Sequence, residues 1–500
     1  LLKKINLQII NRYAQNLATE KNLIVDISGP DNAKESIPTE AEILAAINAS
    51  TREFVKPYEE KNVNKPLIDE SKLKPGRVTK QEYNSKLGTT ELTLSNNIRV
   101  ILKPTDFKND EILMRAISFG GTSTMKEKSK LMSCAYATTI ATNNGLGKFS
   151  KTQLNHLLAG KNASISPYIS TYGEGIKGSS SKKDLETMLQ LTHMEFGKPR
   201  TDDKAFAAFM NELRTSVANS EADPGKIYSD SLNLTLSCHS PRALIVNSRT
   251  INSISQKDAL KFFGDRFSNP ADFSFVFVGS FDIDSITPLL CKYIGSLKTK
   301  DQKENWVDNN VRYPKGKVTN RFGAQMHTKQ TSVYIHIWAN IIYNEENSLK
   351  LQALKDILSL RYTESLREEE GGTYGAHVSF GIGDKPQEQA YIGVSFDTDP
   401  KLEDKLVNKA WEEIEKIAKD GPTSEDLNKT KLNMKQNFKQ NVKENSWWMS
   451  TICTNTQEGL DYYNKYNGIV DNLSAEAIKQ MAQSMLIEKN RAEVIMIPKE

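Results

Sequence analysis

Charge bias is nearly absent from this 500-residue chain: 66 basic residues stand against 62 acidic ones, for a formal net charge of +4. Spread over that length, the charge builds no field of the kind that gathers nucleic acid or anionic membrane. Long apolar runs are also lacking, and none reaches the roughly eighteen residues that a bilayer-spanning helix needs. Cysteine is scarce. Cys134, Cys238, Cys291 and Cys453 lie far apart with no Cys-x-x-Cys pair, which argues against zinc ribbons and thioredoxin-type chemistry and leaves the redox compartment open. At 38% hydrophobic and 26% charged residues, the composition is that of an ordinary globular protein. The chain starts at Leu1 with no charged-then-apolar leader, so we expect an excised piece of a longer protein.

Ready-made catalytic motifs are missing as well. The six histidines (His156, His193, His239, His327, His336 and His377) are not spaced to share a helix face, so neither His-Glu-x-x-His nor its inverse occurs. His193 and Glu195 come nearest, but two residues apart on a helix they point away from each other. The ordinary reading of His193 is a partly buried helix histidine. "SSSK" (179–182) fits Ser-x-x-Lys, yet the partner motifs of penicillin-recognising enzymes are absent. The glycine clusters at 119–123 and 143–147 lack the spacing of phosphate cradles and read as turns. No self-sufficient active site and no metal site is expected in this chain.

Repetition is what the chain does have. "INRYAQNLATEKNLIVDI" (10–27) aligns without a gap on "IKQMAQSMLIEKNRAEVI" (478–495). Each reads as an amphipathic helix, a polar turn and a short apolar strand. A third version, "SQKDALKFFGDRF" and "FSFVFVGSF", occupies 255–267 and 273–281. Other parts recur in order. Alternating strands open each unit: "TTELTLSNNIRVILKP" (89–104), turning at two asparagines, and "TSVYIHIWAN" (331–340). Helices follow at 181–196 and 401–420, then proline-led helix starts at 198–213 and 421–436, where Thr201 and Thr423 are placed to cap.

These elements predict an α+β fold of two homologous units, each a mainly antiparallel sheet with helices packed on it. The expected organisation is 1–27 as the tail of a preceding unit and 28–87 as an inter-domain linker. The linker holds one short helix opened by a Thr39/Glu42 capping box. Residues 88–300 form the first complete unit and 301–500 the second. The strand at 23–27, parted from its parent sheet, is expected as an orphaned edge.

The second unit contains "NSLKLQALKDILSLRYTESLREEE" (347–370), whose apolar stripe Leu351, Leu354, Ile357, Leu358 and Leu366 is helical. Gly371 and Gly372 stop that helix. From Thr373 the alternation predicts a strand with Tyr374, Ala376, Val378 and Phe380 on one face. Arg367 in the last helical turn and Tyr374 at the strand start would then reach one region of space. An ordinary account exists: the cation complements the helix dipole, and the tyrosine packs its ring with its hydroxyl wet.

"LREEEGGTYGA" (366–376) resembles the Arg–Tyr segment in the second half of the pitrilysin/insulinase family of inverted-zinc metallopeptidases. "LTLSNNIRVILKPTDF" (92–107) resembles that family's domain-opening hairpin, with Asn97 where glycine is usual, and "GPTSEDLNKTKLNMKQ" (421–436) is similar to its helix before the closing element. The resemblance runs along nearly the whole chain in the right order. It implies four similar domains in two halves that close over peptide substrates, this chain being the end of domain two, the linker, and domains three and four. The family's His-x-x-Glu-His belongs to domain one. The corresponding stretch here, "SKLMSCAYATTIATNNG" (129–145), has neither His nor Glu, so Zn2+ would be bound by an N-terminal half and none by this chain.

By the same resemblance Arg367 and Tyr374 would contact substrate, Tyr374 stabilising the oxyanion. Arginine offers a planar fork of donors to peptide carbonyls, and a phenol can donate to the oxygen on which charge develops. The implied partners are a peptide or unfolded polypeptide substrate and the N-terminal half of the same polypeptide. The implied compartment is a bacterial periplasm or cell envelope. Two alternatives stay open: a non-catalytic scaffold of the same fold, and a subunit acting in trans with a separate catalytic chain.

Overall fold

The computed structural model describes residues 4–17, 23–27, 37–52, 54, 65–301 and 303–499. Two units divide the chain, 1–62 and 63–500. In the smaller, α1 (Leu7–Leu17) starts where the Asn6 side chain accepts from the Ile9 amide at 3.0 Å, and it buries none of its residues. α2 (Glu40–Arg52) opens with the expected capping box. The Thr39 amide donates to Glu42 Oε2 at 2.8 Å, and the Glu42 amide donates back to Thr39 Oγ1 at 3.4 Å. Residues 23–27 do not form the expected strand. A strand exists only as part of a ladder, and this unit's regular elements among the described residues are helices. The expected turn at 18–22, and 28–36 and 55–64 of the expected linker, lie outside the described residues.

The larger unit contains two sheets. The first is formed by β1 (Val78–Asn84), β2 (Thr89–Leu94), β3 (Arg99–Pro104), β4 (Ile112–Phe119), β5 (Ala163–Ile169), β6 (Gly173–Ser180) and β7 (Ser274–Gly279), in the order β1-β2-β3-β7-β4-β6-β5. β1 lies within the stretch expected to be linker. Asn97 turns the β2–β3 hairpin at φ 65°, a conformation asparagine tolerates. The second sheet has β8 (Lys317–Ala324), β9 (Thr331–Ala339), β10 (His377–Gly383), β11 (Gln389–Thr398) and β12 (Arg491–Pro498), in the order β10-β11-β9-β12-β8.

One five-strand order is therefore used twice, with β3, β7, β4, β6 and β5 answering to β8, β12, β9, β11 and β10. In each sheet the closing strand inserts beside the opening one in parallel, and every other pairing is antiparallel. The repeated helix–strand ending of the sequence is this inserted element. Its central position explains why "FSFVFVGSF" reads as a continuous apolar run: β7 is buried on both faces.

The helices of the first half are α3 (Leu131–Ala135), α4 (Ala137–Asn144), α5 (Lys151–Leu157), α6 (Leu185–Glu195), α7 (Asp203–Ser220), α8 (Pro224–Leu236), α9 (Gln256–Arg266) and α10 (Ile283–Tyr293). Those of the second are α11 (Glu345–Tyr362), α12 (Glu403–Asp420), α13 (Ser424–Asn441), α14 (Asn445–Glu458), α15 (Tyr462–Asp471) and α16 (Ala475–Leu486). Thr423 caps α13 as expected, accepting from the Asp426 amide. At the matching start of α7 the cap is Asp202, one residue after Thr201, and its carboxylate accepts from the Ala205 amide.

One core joins Val100, Met114, Phe275 and Phe277 to Met188, Leu189 and Phe263 of the first half's helices. The other joins Val333, Ile335 and Val394 to Leu354, Ile414 and Met485. The opposite sheet faces are covered by an exchange. α14 of the second half lays Trp448, Met449, Ile452 and Cys453 on Ile101, Ile117, Val276 and Val278 of the first sheet. α8 of the first half lies on β8 and β12, where the Tyr228 hydroxyl donates to the Val494 carbonyl at 3.1 Å. The Asn320 amide group donates to Ser231 Oγ at 2.9 Å and to Thr235 Oγ1 at 2.8 Å. Each half thus completes the other.

Candidate functional site

The apolar stripe of α11 buries Leu351, Leu354, Ile357 and Leu358 and continues to the buried Leu366. Beyond Tyr362 the helix widens into a π-helical turn, Thr363–Glu369. Thr363 Oγ1 donates to the Ser359 carbonyl and Ser365 Oγ to the Arg361 carbonyl, both at 2.9 Å, so side-chain hydroxyls occupy carbonyls on the way into the wider turn. Arg367 lies in this turn and is exposed. The sequence predicts an ordinary last helical turn at that point; π-helical turns are rare and recur at functional sites.

Gly371 then takes φ 60°, the left-handed conformation that ends the helix. Gly372 is needed for a different reason. A Cβ there would lie 2.7 Å from Leu406 Cδ1 of α12, and its carbonyl accepts from the buried Thr398 hydroxyl at 2.7 Å. The junction is anchored at this glycine and free beyond it.

Tyr374 departs from the strand expected to start there. Pairing begins only at His377, opposite Ser395, while β11 runs on to Thr398 with β9 as its partner. The Thr398 hydroxyl takes the Gly372 carbonyl, and residues 373–376 leave the sheet. The Gly375 amide donates to Thr373 Oγ1 at 3.2 Å, and that hydroxyl donates to the Gly375 carbonyl at 3.1 Å, closing a small turn. Tyr374 sits at its tip with a relative exposure of 101%. Its ring shares no face with Val378 and Phe380, because residues off the ladder do not follow its alternation.

Neighbouring charges are paired. Arg361 Nε donates to Asp426 at 2.9 Å and Arg361 Nη1 lies 3.1 Å from Glu364. Lys405 holds Glu370, and Lys409 is 4.0 Å from Glu369. Among the described residues no side-chain hydrogen bond or ion pair engages Arg367 or Tyr374, with each other or with anything else. A planar cation and a phenol are thus held on one junction with all their donors available.

Gly375 and His377 border a cleft of about 650 Å³ closed on its far side by Pro224, Gly225 and Tyr228 of α8. Met326, His327 and Thr328 from the β8–β9 connection and Asp397 of β11 complete its walls. The Ser332 hydroxyl donates to Asp397 at 2.6 Å. Burial, with Asp397 nearby, holds the Tyr228 phenol well above its ordinary pKa. Sequence reasoning missed this cleft because its far wall arrives by helix exchange, which leaves no local signal.

The stretch 129–145 forms α3 and α4 and buries Cys134, Ala137, Ile140 and Ala141 in the first core. Among the described residues no group of three or more His, Cys, Asp or Glu is arranged to hold a metal ion. No helix among the described residues is long and apolar enough to cross a membrane.

Residues 253–434 match the family model of the peptidase M16 inactive domain. The chain is 28% identical over 468 residues to a "Zinc protease PQQL-like" of Arabidopsis thaliana, covering 90% of this chain and 46% of that protein. The crystal structure of the periplasmic protease PqqL from Escherichia coli superposes with a TM-score of 0.76 at 19% identity, over 99% of this chain and 55% of that one. The ferredoxin protease FusC, solved as a point mutant in complex with Arabidopsis ferredoxin, gives 0.76 at 17% identity, over 100% and 55%. Residues 253–434 are thus similar to the inactive domain of M16 peptidases, and the chain resembles PqqL-type zinc proteases along nearly its whole length. It spans less than half the length of the curated relative it matches over 468 residues.

Proposed function

We propose that this chain is the substrate-binding C-terminal half of a zinc-dependent metalloendopeptidase, which hydrolyses peptides in a closed chamber formed with an N-terminal half. The observation that carries this reading is the junction at 363–376, where Arg367 and Tyr374 are exposed and unpartnered and the chain runs on at Gly375 into the wall of a cleft. In this reading zinc and bond cleavage belong to the other half, and this chain binds and orients. Arg367 directs its fork of N–H groups at a substrate carbonyl, an interaction present before and during reaction. Tyr374 donates its hydroxyl to the carbonyl oxygen as negative charge develops there, where closure strengthens the bond by excluding water.

The substrate is a polypeptide, as ferredoxin is for the FusC neighbour. A periplasmic or cell-envelope setting is part of this reading, supported by the periplasmic location of the Escherichia coli neighbour. The test is Tyr374→Phe in the full-length protein. Turnover should fall roughly a hundredfold with the melting temperature unchanged, since the substitution removes only a solvated hydroxyl. Unchanged cleavage would overturn the assignment.

A further inference from the structure

A second cavity, of about 210 Å³, lies in the first half beside β5. Leu146, Leu154, Leu158, Ile165, Met194 and Phe263 supply most of its apolar wall. One acid faces it. Glu195, only 7% exposed, lines the cavity and has no hydrogen-bond or ion-pair partner among the described residues. The cations at the same cavity do not reach it. Arg200 is tied to the Asn144 carbonyl at 2.5 Å and to Asp202 at 2.6 Å. Lys151 donates to Asn143 at 2.8 Å, and Lys198 is exposed and lies beyond ion-pair distance.

Two physical rules oppose a glutamate at this position. An unpaired carboxylate in apolar surroundings is costly, and burial pushes this carboxyl up to about 7. Glu195 is also the last residue of α6, against the negative end of the helix dipole. On the helix it falls in register with the buried Met188 and Leu191, where leucine would serve the core better. Local rules are broken in this way mostly where a site is built. The protein has already desolvated the carboxylate, so a ligand brings only its own desolvation cost to the contact.

We propose that this cavity binds a primary ammonium carried on a short unbranched hydrocarbon stem, the ammonium meeting Glu195 and the stem lying along Leu154, Leu158, Ile165 and Met194. The stem suits the apolar wall and the head group satisfies the carboxylate. A free alkylamine and a lysine side chain of a polypeptide share this chemistry. The inference stands on the cavity and its acid, independently of the protease reading.

Calorimetric titration of the 500-residue chain with n-hexylamine, hexan-1-ol and N-acetyl-lysine amide tests it. n-Hexylamine should bind saturably at one site, and hexanol at least about tenfold more weakly, the difference being the charge contact. Glu195→Gln should bring the amine down to the level of the alcohol. Leu158→Trp, which fills the stem channel and leaves the acid in place, should abolish amine binding. It decides the matter if Glu195→Gln does not fold. N-acetyl-lysine amide binding as tightly as hexylamine would assign the site to polypeptide lysines; hexylamine binding alone would assign it to small amines. Equal binding of amine and alcohol, amine binding untouched by either variant, or no binding of any probe would overturn the proposal.

Discussion

Into β5 the chain passes from α5 through Gly160 at φ 79°, and into β10 it passes from the π-helical turn through Gly371 at φ 60°. The strands occupy equivalent edges of the two sheets, yet the junctions are finished differently. Before β5, the Asn162 amide donates to Asp184 at 2.9 Å, the Ser181 amide donates to the Asn162 carbonyl at 2.9 Å, and Lys161 lies 3.7 Å from Asp184. Before β10, anchoring stops at Gly372 and leaves Arg367 and Tyr374 unengaged. The same topological corner is structural in one half and open for contact in the other. On the proposed reading, function resides in how the corner is finished, since the fold itself is common to both.

The exchanged helices differ in a parallel way, α14 delivering an apolar plug and α8 a polar one. Trp448→Ala should therefore cost about 3–5 kcal/mol, from lost burial and the cavity left against the first sheet. Tyr228→Phe, which removes one hydrogen bond to Val494, should cost about 1 kcal/mol. Denaturant unfolding of both variants measures the contrast, and equal costs would erase it.

The halves should also respond to pH with opposite sign. In the first, burial raises Glu195 and Glu174 to about 7. Each favours the protonated folded state, so the stability it contributes is full below the unfolded carboxyl value and is lost as pH rises to about 7. At about 1.4 kcal/mol per unit, each loss is on the order of 3 kcal/mol. In the second half His336 lies among the rings of Tyr313, Tyr391, Trp338 and Tyr334, its Nε2 without a partner among the described residues, and burial lowers it to about 3. Its unfolded form takes up a proton first, so stability is lost as pH falls below the ordinary histidine value. Glu195→Leu should therefore stabilise near about pH 8 and His336→Phe near about pH 5, as melting curves at the two pH values would show. The reverse pattern would sink both assignments.

Arg367→Ala should lower cleavage by the full-length protein roughly a hundredfold and weaken substrate binding with no change in melting temperature. Lys161→Ala, at the anchored junction, should leave cleavage unaltered. A smaller contrast separates the helix starts: Thr423→Ala should cost about 1 kcal/mol through loss of its cap, and Thr201→Ala less than about 0.5 kcal/mol because Asp202 does that work.

Much of this was legible in the sequence where the physics is local. The apolar stripe of α11, the stop at Gly371, the capping box at Thr39 and Glu42 and the Asn97 turn all rest on contacts within a few residues. The recurrence of helix–strand endings revealed two units of one kind. Local reasoning also had a signal for Glu195, an acid within the buried stripe of α6, although weighing it only as a partner of His193 concealed the cavity. Tyr374 was misplaced because alternation was read past the end of the ladder, and Thr201 because two neighbouring residues both suit a cap.

What the amino-acid sequence determined by itself was the kind of element at most places in the two sheet-bearing halves, since periodicity, capping and glycine conformation depend on neighbours along the chain. Tertiary structure decided which strand lies between which, because β7 and β12 are placed by ladder partners far away along the chain. It likewise decided that α8 and α14 change places, since an apolar or polar face does not specify which surface will cover it. The exposure of Tyr374 follows from the same cause: Thr398, distant in sequence, takes the Gly372 carbonyl, and residues 373–376 run outside the ladder although β11 continues to Thr398.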